Sequence, residues 1–107
     1  MENKDCVFCK IITGEIPAHA MYENEFVIAF PDLHPLAEGH ALVIPKKHYR
    51  WFYEVPGEEA NEWFSAAQML ALKLKEDHGS DYVELKIEGI DMPHAHIHLV
   101  PRLREAK

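Results

Sequence analysis

The sequence predicts an α+β fold: a five-stranded antiparallel sheet with one long helix and a short helix near the N-terminus. Three observations support this. Only residues 57–78 carry a helical apolar period long enough for a full helix. Five short runs with strand character are set off by Pro, Gly or Asn. The long helix precedes only the final two strands, which argues against repeated βαβ units. At 107 residues and 48% hydrophobic, the chain suits one domain, 1–107, around a single modest core.

The first element is "VFCKIITG", a short helix with Phe8, Ile11 and Ile12 apolar and Gly14 as its stop signal. "AMYEN" and "FVIAF" follow as a strand pair turning at Asn24-Glu25, the second ending before Pro31. "GHALVIP" is a third strand, closed by Pro45. From Gly57 to about His78, residues Ala60, Trp63, Phe64, Ala67, Leu70, Ala71 and Leu74 recur at spacings of three and four. That is the stripe of a helix laid on a core, and it assigns Trp63 and Phe64 to packing. "His78-Gly79-Ser80" ends the helix. "YVELKIE" alternates as a strand should, with Tyr82, Glu84, Lys86 and Glu88 opposite Val83, Leu85 and Ile87. "HAHIHLVP" is the last strand, joined to its predecessor through "GIDMP" and paired with it as a hairpin.

Eleven Lys plus Arg against eighteen Asp plus Glu give a net charge of −7. Such a balance argues against a broad basic face for nucleic-acid duplexes and leaves room for a small anionic ligand in a local pocket. The polar start "MENKDCVFCK" lacks a signal-peptide core. No run approaches the ~20 apolar residues of a membrane span. The expectation is a soluble, cytoplasmic protein that engages neither nucleic acid nor membrane.

Histidines at 94, 96 and 98 occupy alternate positions of one apolar run. Alternation puts His94, His96 and His98 on one face of a strand, with neighbours roughly 6–7 Å apart. Ala95, Ile97 and Leu99 then face the other side, where the long helix can cover them. Imidazole has an ordinary pKa near ~6.5 and is a competent nucleophile toward phosphorus in its neutral form. Imidazoles two residues apart on a strand can also share a metal. The bland alternative is a row of hydrogen-bonded core histidines. Cys6-x-x-Cys9 is open to three readings: a redox pair, two inert thiols, or half of a zinc site. The βαβ context of a thioredoxin-like pair is missing.

His-Ala-His-Ile-His-Leu-Val followed by Pro-Arg resembles the signature of the histidine triad (HIT) superfamily of nucleotide hydrolases and transferases. "CVFCKIITGEIPA" at 6–18 and "VIAFPDLHPLAEGHALVIPKKH" at 27–48 fall in the same family order, so the resemblance covers most of the chain. It is nearest to small bacterial-type members with an N-terminal Cys-x-x-Cys. The resemblance implies a HIT-like fold and a reaction in which His96 attacks the α-phosphorus of a nucleoside phosphoramidate or related conjugate. A nucleotidyl-histidine forms, and water releases a nucleoside monophosphate. His98 donates to a phosphate oxygen, while His94 supports the rings or turns to a metal. The resemblance places Val7, Phe8, Ile11, Phe30 and Leu33 around the base. It assigns Asp32 to the ribose hydroxyls, sets His40 beside the same pocket, and puts Gly89 and Asp91 in the phosphate loop. It also implies a structural zinc held by Cys6, Cys9, His48 and His94, no magnesium for the displacement, and a homodimer built through the long helix and an adjoining strand.

The match breaks before the triad. Relatives carry Asn-x-Gly and then Gly-Gln-x-Val-x there, whereas this chain has only "KIEGIDMP", with Ile90 for the glutamine and Asp91 for a serine or threonine. An ionised Asp91 close to a phosphate would repel it by ~1–4 kcal/mol. The alternative to an enzyme is therefore a zinc-stabilised nucleotide-binding module with little turnover. A third reading is a metal-dependent hydrolase ligated by all three triad histidines. His19, His34 and His78 fall outside every motif and are assigned to surface or turns.

Overall fold

The computed structural model describes residues 6–90 and 92–104. Its elements are α1 (Val7–Ile12), β1 (Tyr22–Glu23), β2 (Val27–Pro31), β3 (Ala41–Pro45), a 3₁₀ turn (Phe52–Glu54), α2 (Gly57–His78), β4 (Tyr82–Glu88) and β5 (His96–Arg102). The five strands form one antiparallel sheet in the order β1-β2-β3-β5-β4. Asn24 closes the first hairpin, its Oδ1 accepting from the Phe26 and Val27 amides at 2.8 and 2.9 Å. Such a side chain completes the turn that a strand partner cannot.

β2 and β3 are buried along almost their whole length because both faces of the sheet are covered. On one face, Val27, Ala29, Val43, Ala95, Ile97 and Leu99 pack beneath α2. On the other, Ile28, Phe30, Leu42 and Ile44 pack with Cys6, Phe8 and Cys9 around α1. The period of two along each strand sorts these residues into the two layers. α2 presents Trp63, Ala66, Ala67, Leu70 and Leu74, and the Trp63 indole donates to the Val43 carbonyl at 2.8 Å. It ends at Gly79, whose φ of +60° is the left-handed cap that glycine adopts without strain.

Two expectations need correction. Phe64 is 48% exposed and outside the core. At about 100° per residue it lies a quarter turn from Trp63, whereas Ala66, Ala67, Leu70 and Leu74 cluster around Trp63's direction. β5 begins at His96, not His94. The His94 amide turns back to the Met92 carbonyl at 2.7 Å, and the Ala95 amide bonds the Tyr49 carbonyl in the loop after β3. Among the described residues no helix is long and apolar enough to cross a membrane.

Candidate functional site

His96 and His98 project from β5 onto the α1 face, where Phe8 packs edge-on against His96 at 5.1 Å. A cavity of about 540 Å³ opens beside them. Val7, Phe8 and Ile11 of α1 form one wall, with Phe30 and Leu33 opposite and Asp32 and His40 near the histidines. Its walls are mainly apolar, with a few polar groups converging at one end, as small-ligand sites commonly are.

Hydrogen-bond partners decide which ring nitrogens carry protons. His96 Nδ1 lies 2.7 Å from the His94 carbonyl, which can only accept. Nδ1 therefore carries the hydrogen, and in the neutral ring the Nε2 lone pair is available. A second set of contacts runs through His40. The Leu36 amide donates to His40 Nδ1 at 3.0 Å, so the His40 proton sits on Nε2 and is donated to His98 Nδ1 at 2.9 Å. His98 must then hold its proton on Nε2. That nitrogen is buried and has no hydrogen-bond partner in the protein. The pair thus offers one lone pair and one N–H side by side, with ring centres 4.7 Å apart. Burial lowers the His98 and His40 pKa values; His96 adds to the effect at His98, while Asp32 opposes it at both. Burial thus favours the neutral form of both rings.

Carboxylates bracket the two rings. Asp32 Oδ2 is 3.4 Å from His40 Nε2 and 3.9 Å from His98 Nδ1. On the other flank, Glu88 Oε1 is 3.7 Å from His96 Nε2 and 3.6 Å from His98 Nε2. Sequence reasoning missed Glu88, which it placed on the polar side of its strand. The β4–β5 register pairs Glu88 with His96 and so turns that side toward the site. Met92, His19 and His34 also line the cavity and were not anticipated there. Gly89 does not line it. A Cβ at Gly89 would come within 2.0 Å of the Arg50 carbonyl oxygen, and Arg50 Nε donates to the Gly89 carbonyl at 3.0 Å. The glycine is required for this close approach of two backbone segments. Asp91 lies outside the described residues.

The remaining histidine belongs to a separate cluster. Cys6, Cys9, His48 and His94 place their ligand atoms within 4.8 Å of one another, positioned to bind a metal ion. Cys6 Sγ to His94 Nδ1 is 3.3 Å, Cys9 Sγ to His94 Nδ1 is 3.6 Å, and Cys9 Sγ to His48 Nδ1 is 3.2 Å. A tetrahedron with Zn–S near 2.3 Å and Zn–N near 2.1 Å has S···N edges of about 3.6 Å, so the donor set fits with small adjustments. His94 Nε2 donates to the Pro45 carbonyl at 2.9 Å, which directs the Nδ1 lone pair at the thiols. Burial pushes the His94 imidazole down to about 4, keeping that lone pair unprotonated. α1 contributes to both clusters. Cys6 caps its N-terminus, accepting from the Cys9 amide, while Phe8 and Ile11 turn toward the cavity.

Residues 13–105 match the HIT domain family. The chain belongs to it. The adenosine 5′-monophosphoramidase HNT1 of Saccharomyces cerevisiae is 39% identical to this HIT chain over 104 residues, 94% of this chain and 64% of that protein. The adenylylsulfatase HINT3 of Arabidopsis thaliana is 37% identical over 92% of this chain and 52% of its own length. The crystal structure of a histidine triad nucleotide-binding protein from Candida albicans superposes with a TM-score of 0.84 at 32% identity. That superposition covers 95% of this HIT chain and 78% of the Candida chain.

Proposed function

We propose that this HIT domain is a nucleotide hydrolase that cleaves nucleoside phosphoramidates or related nucleotidyl conjugates at the α-phosphorus. The observation that carries the reading is the complementary hydrogen-bond pattern of two neighbouring ring nitrogens, a lone pair on His96 Nε2 beside an N–H on His98 Nε2 that has no hydrogen-bond partner in the protein. His96 Nε2 attacks phosphorus, the P–N bond breaks, and the departing amine leaves with the bonding pair and takes up a proton. Water then attacks the nucleotidyl-histidine and loses a proton, so the two halves sum to nucleoside monophosphate and amine. His98 Nε2–H stabilises charge growing on a non-bridging oxygen. Asp32 accepts from the ribose hydroxyls, and the walls from α1 and β2 hold the base. The named monophosphoramidase and adenylylsulfatase relatives support the reaction class.

Cys6, Cys9, His48 and His94 would hold a zinc ion, which would cross-link α1, the loop after β3 and the approach to β5. The fit of the donor set supports this assignment. Phe64 and Leu72, exposed on α2, are our assignment for part of a homodimer face.

The test is to incubate the protein with adenosine 5′-phosphoramidate, quench in alkali, and seek nucleotidyl addition at His96 by mass spectrometry. His96→Ala should form no adduct and release no AMP above background. Equal AMP release by both proteins would refute covalent catalysis. The position of Glu88 favours a second reading, since its carboxylate faces both nitrogens where an anionic phosphate must sit. A binding module of that kind would bind AMP in calorimetry and release none from the amidate.

A further inference from the structure

Among the described residues, Glu88 is the one carboxylate facing both catalytic rings, and the reaction above leaves it without a task. The sheet order β3-β5-β4 puts Asp32 and His40 on one flank of the histidines and Glu88 on the other. A nucleotide whose ribose hydroxyls meet Asp32 spans His98 with its phosphate, which puts Glu88 on the far side of that phosphate from the ribose. Glu88 Oε1 faces the rings, while Oε2 is 3.8 Å from Lys86 Nζ at the rim. Lys86 is 59% exposed and neutralises Glu88 only weakly through water. Arg102 is engaged by Glu84, and Arg50 by the Gly89 carbonyl. Among the described residues no other cation is paired with Glu88. A carboxylate in this place opposes an anionic leaving group next to phosphate and attracts a cationic one.

We propose that Glu88 forms a cation subsite on the leaving-group side, selecting nucleoside phosphoramidates whose departing amine carries a second, protonated amino group. This rests on the phosphoramidase reading and specifies its substrate class. It adds no bond-making step: the ammonium pairs with the Glu88 carboxylate while His96 acts on phosphorus as before. The preference is set by charge at the rim and so weakens with added salt.

Three adenosine 5′-phosphoramidates provide the test, made from 1,2-diaminoethane, propylamine and β-alanine, which present an ammonium, a methyl and a carboxylate at the same reach. Wild-type kcat/KM should favour the ammonium compound over the propyl one by about fivefold, and the β-alanine compound should be slowest. Glu88→Gln should bring all three within about twofold, and Glu88→Lys should reverse the order. Binding of the same three compounds to His96→Ala, read by calorimetry, should follow the wild-type order. Equal rates for the three compounds with wild type overturn the subsite. So does a Glu88→Gln variant that slows all three by one factor, which would mark a proton-transfer or positioning role. Stimulation by a divalent cation that depends on Glu88 also overturns it, in favour of a metal shared with His96 and His98. Absence of turnover with the charge order intact in binding removes the phosphoramidase reading and upholds the subsite; absence of the order in binding removes the subsite itself.

Discussion

Replacing His40 with asparagine tests whether the proton arrangement at His98 is imposed from outside the triad. His40 is 3% exposed and touches both the Leu36 amide and His98 Nδ1. An asparagine Oδ1 lies where Nδ1 was and continues to accept from Leu36, but the donor to His98 Nδ1 is gone. His98 becomes free to move its proton to Nδ1, leaving Nε2 unable to donate to phosphate. Losing a complete oxyanion donor costs on the order of 10²–10³ in rate. A ring that retains the productive tautomer part of the time loses less, so kcat should fall about 10- to 100-fold, or roughly 1.4–2.7 kcal/mol. KM should change little, because the affected bond strengthens as charge develops. Stability should fall by about 1–3 kcal/mol from one lost buried hydrogen bond and a small void. The assay is steady-state AMP release together with a double-mutant cycle on His98→Ala. In that background His40→Asn should cost less than about threefold, since the donor it controls is gone. A full loss there, or a single variant with wild-type kcat, would refute the reasoning.

Other outcomes follow from the same structure. Purified protein should carry close to one zinc per chain by elemental analysis, and Cys9→Ser should carry little. Chelation should lower the melting temperature, with a stability loss of about 2.7 kcal/mol if free metal had stood at a hundredfold over its dissociation constant. Gly89→Ala should destabilise by about 1–3 kcal/mol in urea titrations, because the new Cβ meets the Arg50 carbonyl and the backbone must move. His40 and His98 have folded pKa values below 6.5, so the unfolded chain binds more protons just below that pH. Their contribution is therefore fully present above pH 6.5 and is lost as pH falls through the folded values. Urea midpoints from pH 7.5 down to 5 should fall accordingly, and more steeply than in a His40→Asn variant. The proposed homodimer face on α2 predicts that the wild type sediments as a dimer and that Phe64→Glu, at an exposed position, sediments as a monomer with little change in monomer folding.

The sequence by itself determined what depends on local periodicity. Alternation along 95–99 put Ala95, Ile97 and Leu99 under α2 and left His96 and His98 for the opposite face. The three-and-four spacing marked α2, though its outer boundary was misjudged at Phe64, where a quarter turn separates core from surface. The Cys-x-x-Cys spacing marked half of the metal-binding cluster, and the resemblance supplied His48 and His94. Tertiary structure alone decided three things. Glu88 joined the two rings because the cross-strand register of β4 and β5 paired it with His96. The ring protons were placed by the Leu36 amide and the His94 carbonyl, backbone groups that are chemically identical at nearly every position in the sequence. Gly89 turned out to be a point of backbone contact beneath Arg50, not part of the cavity wall. Periodicity reports which face a side chain takes. It is silent on which backbone group or distant strand waits on that face, because that follows from how the whole chain closes.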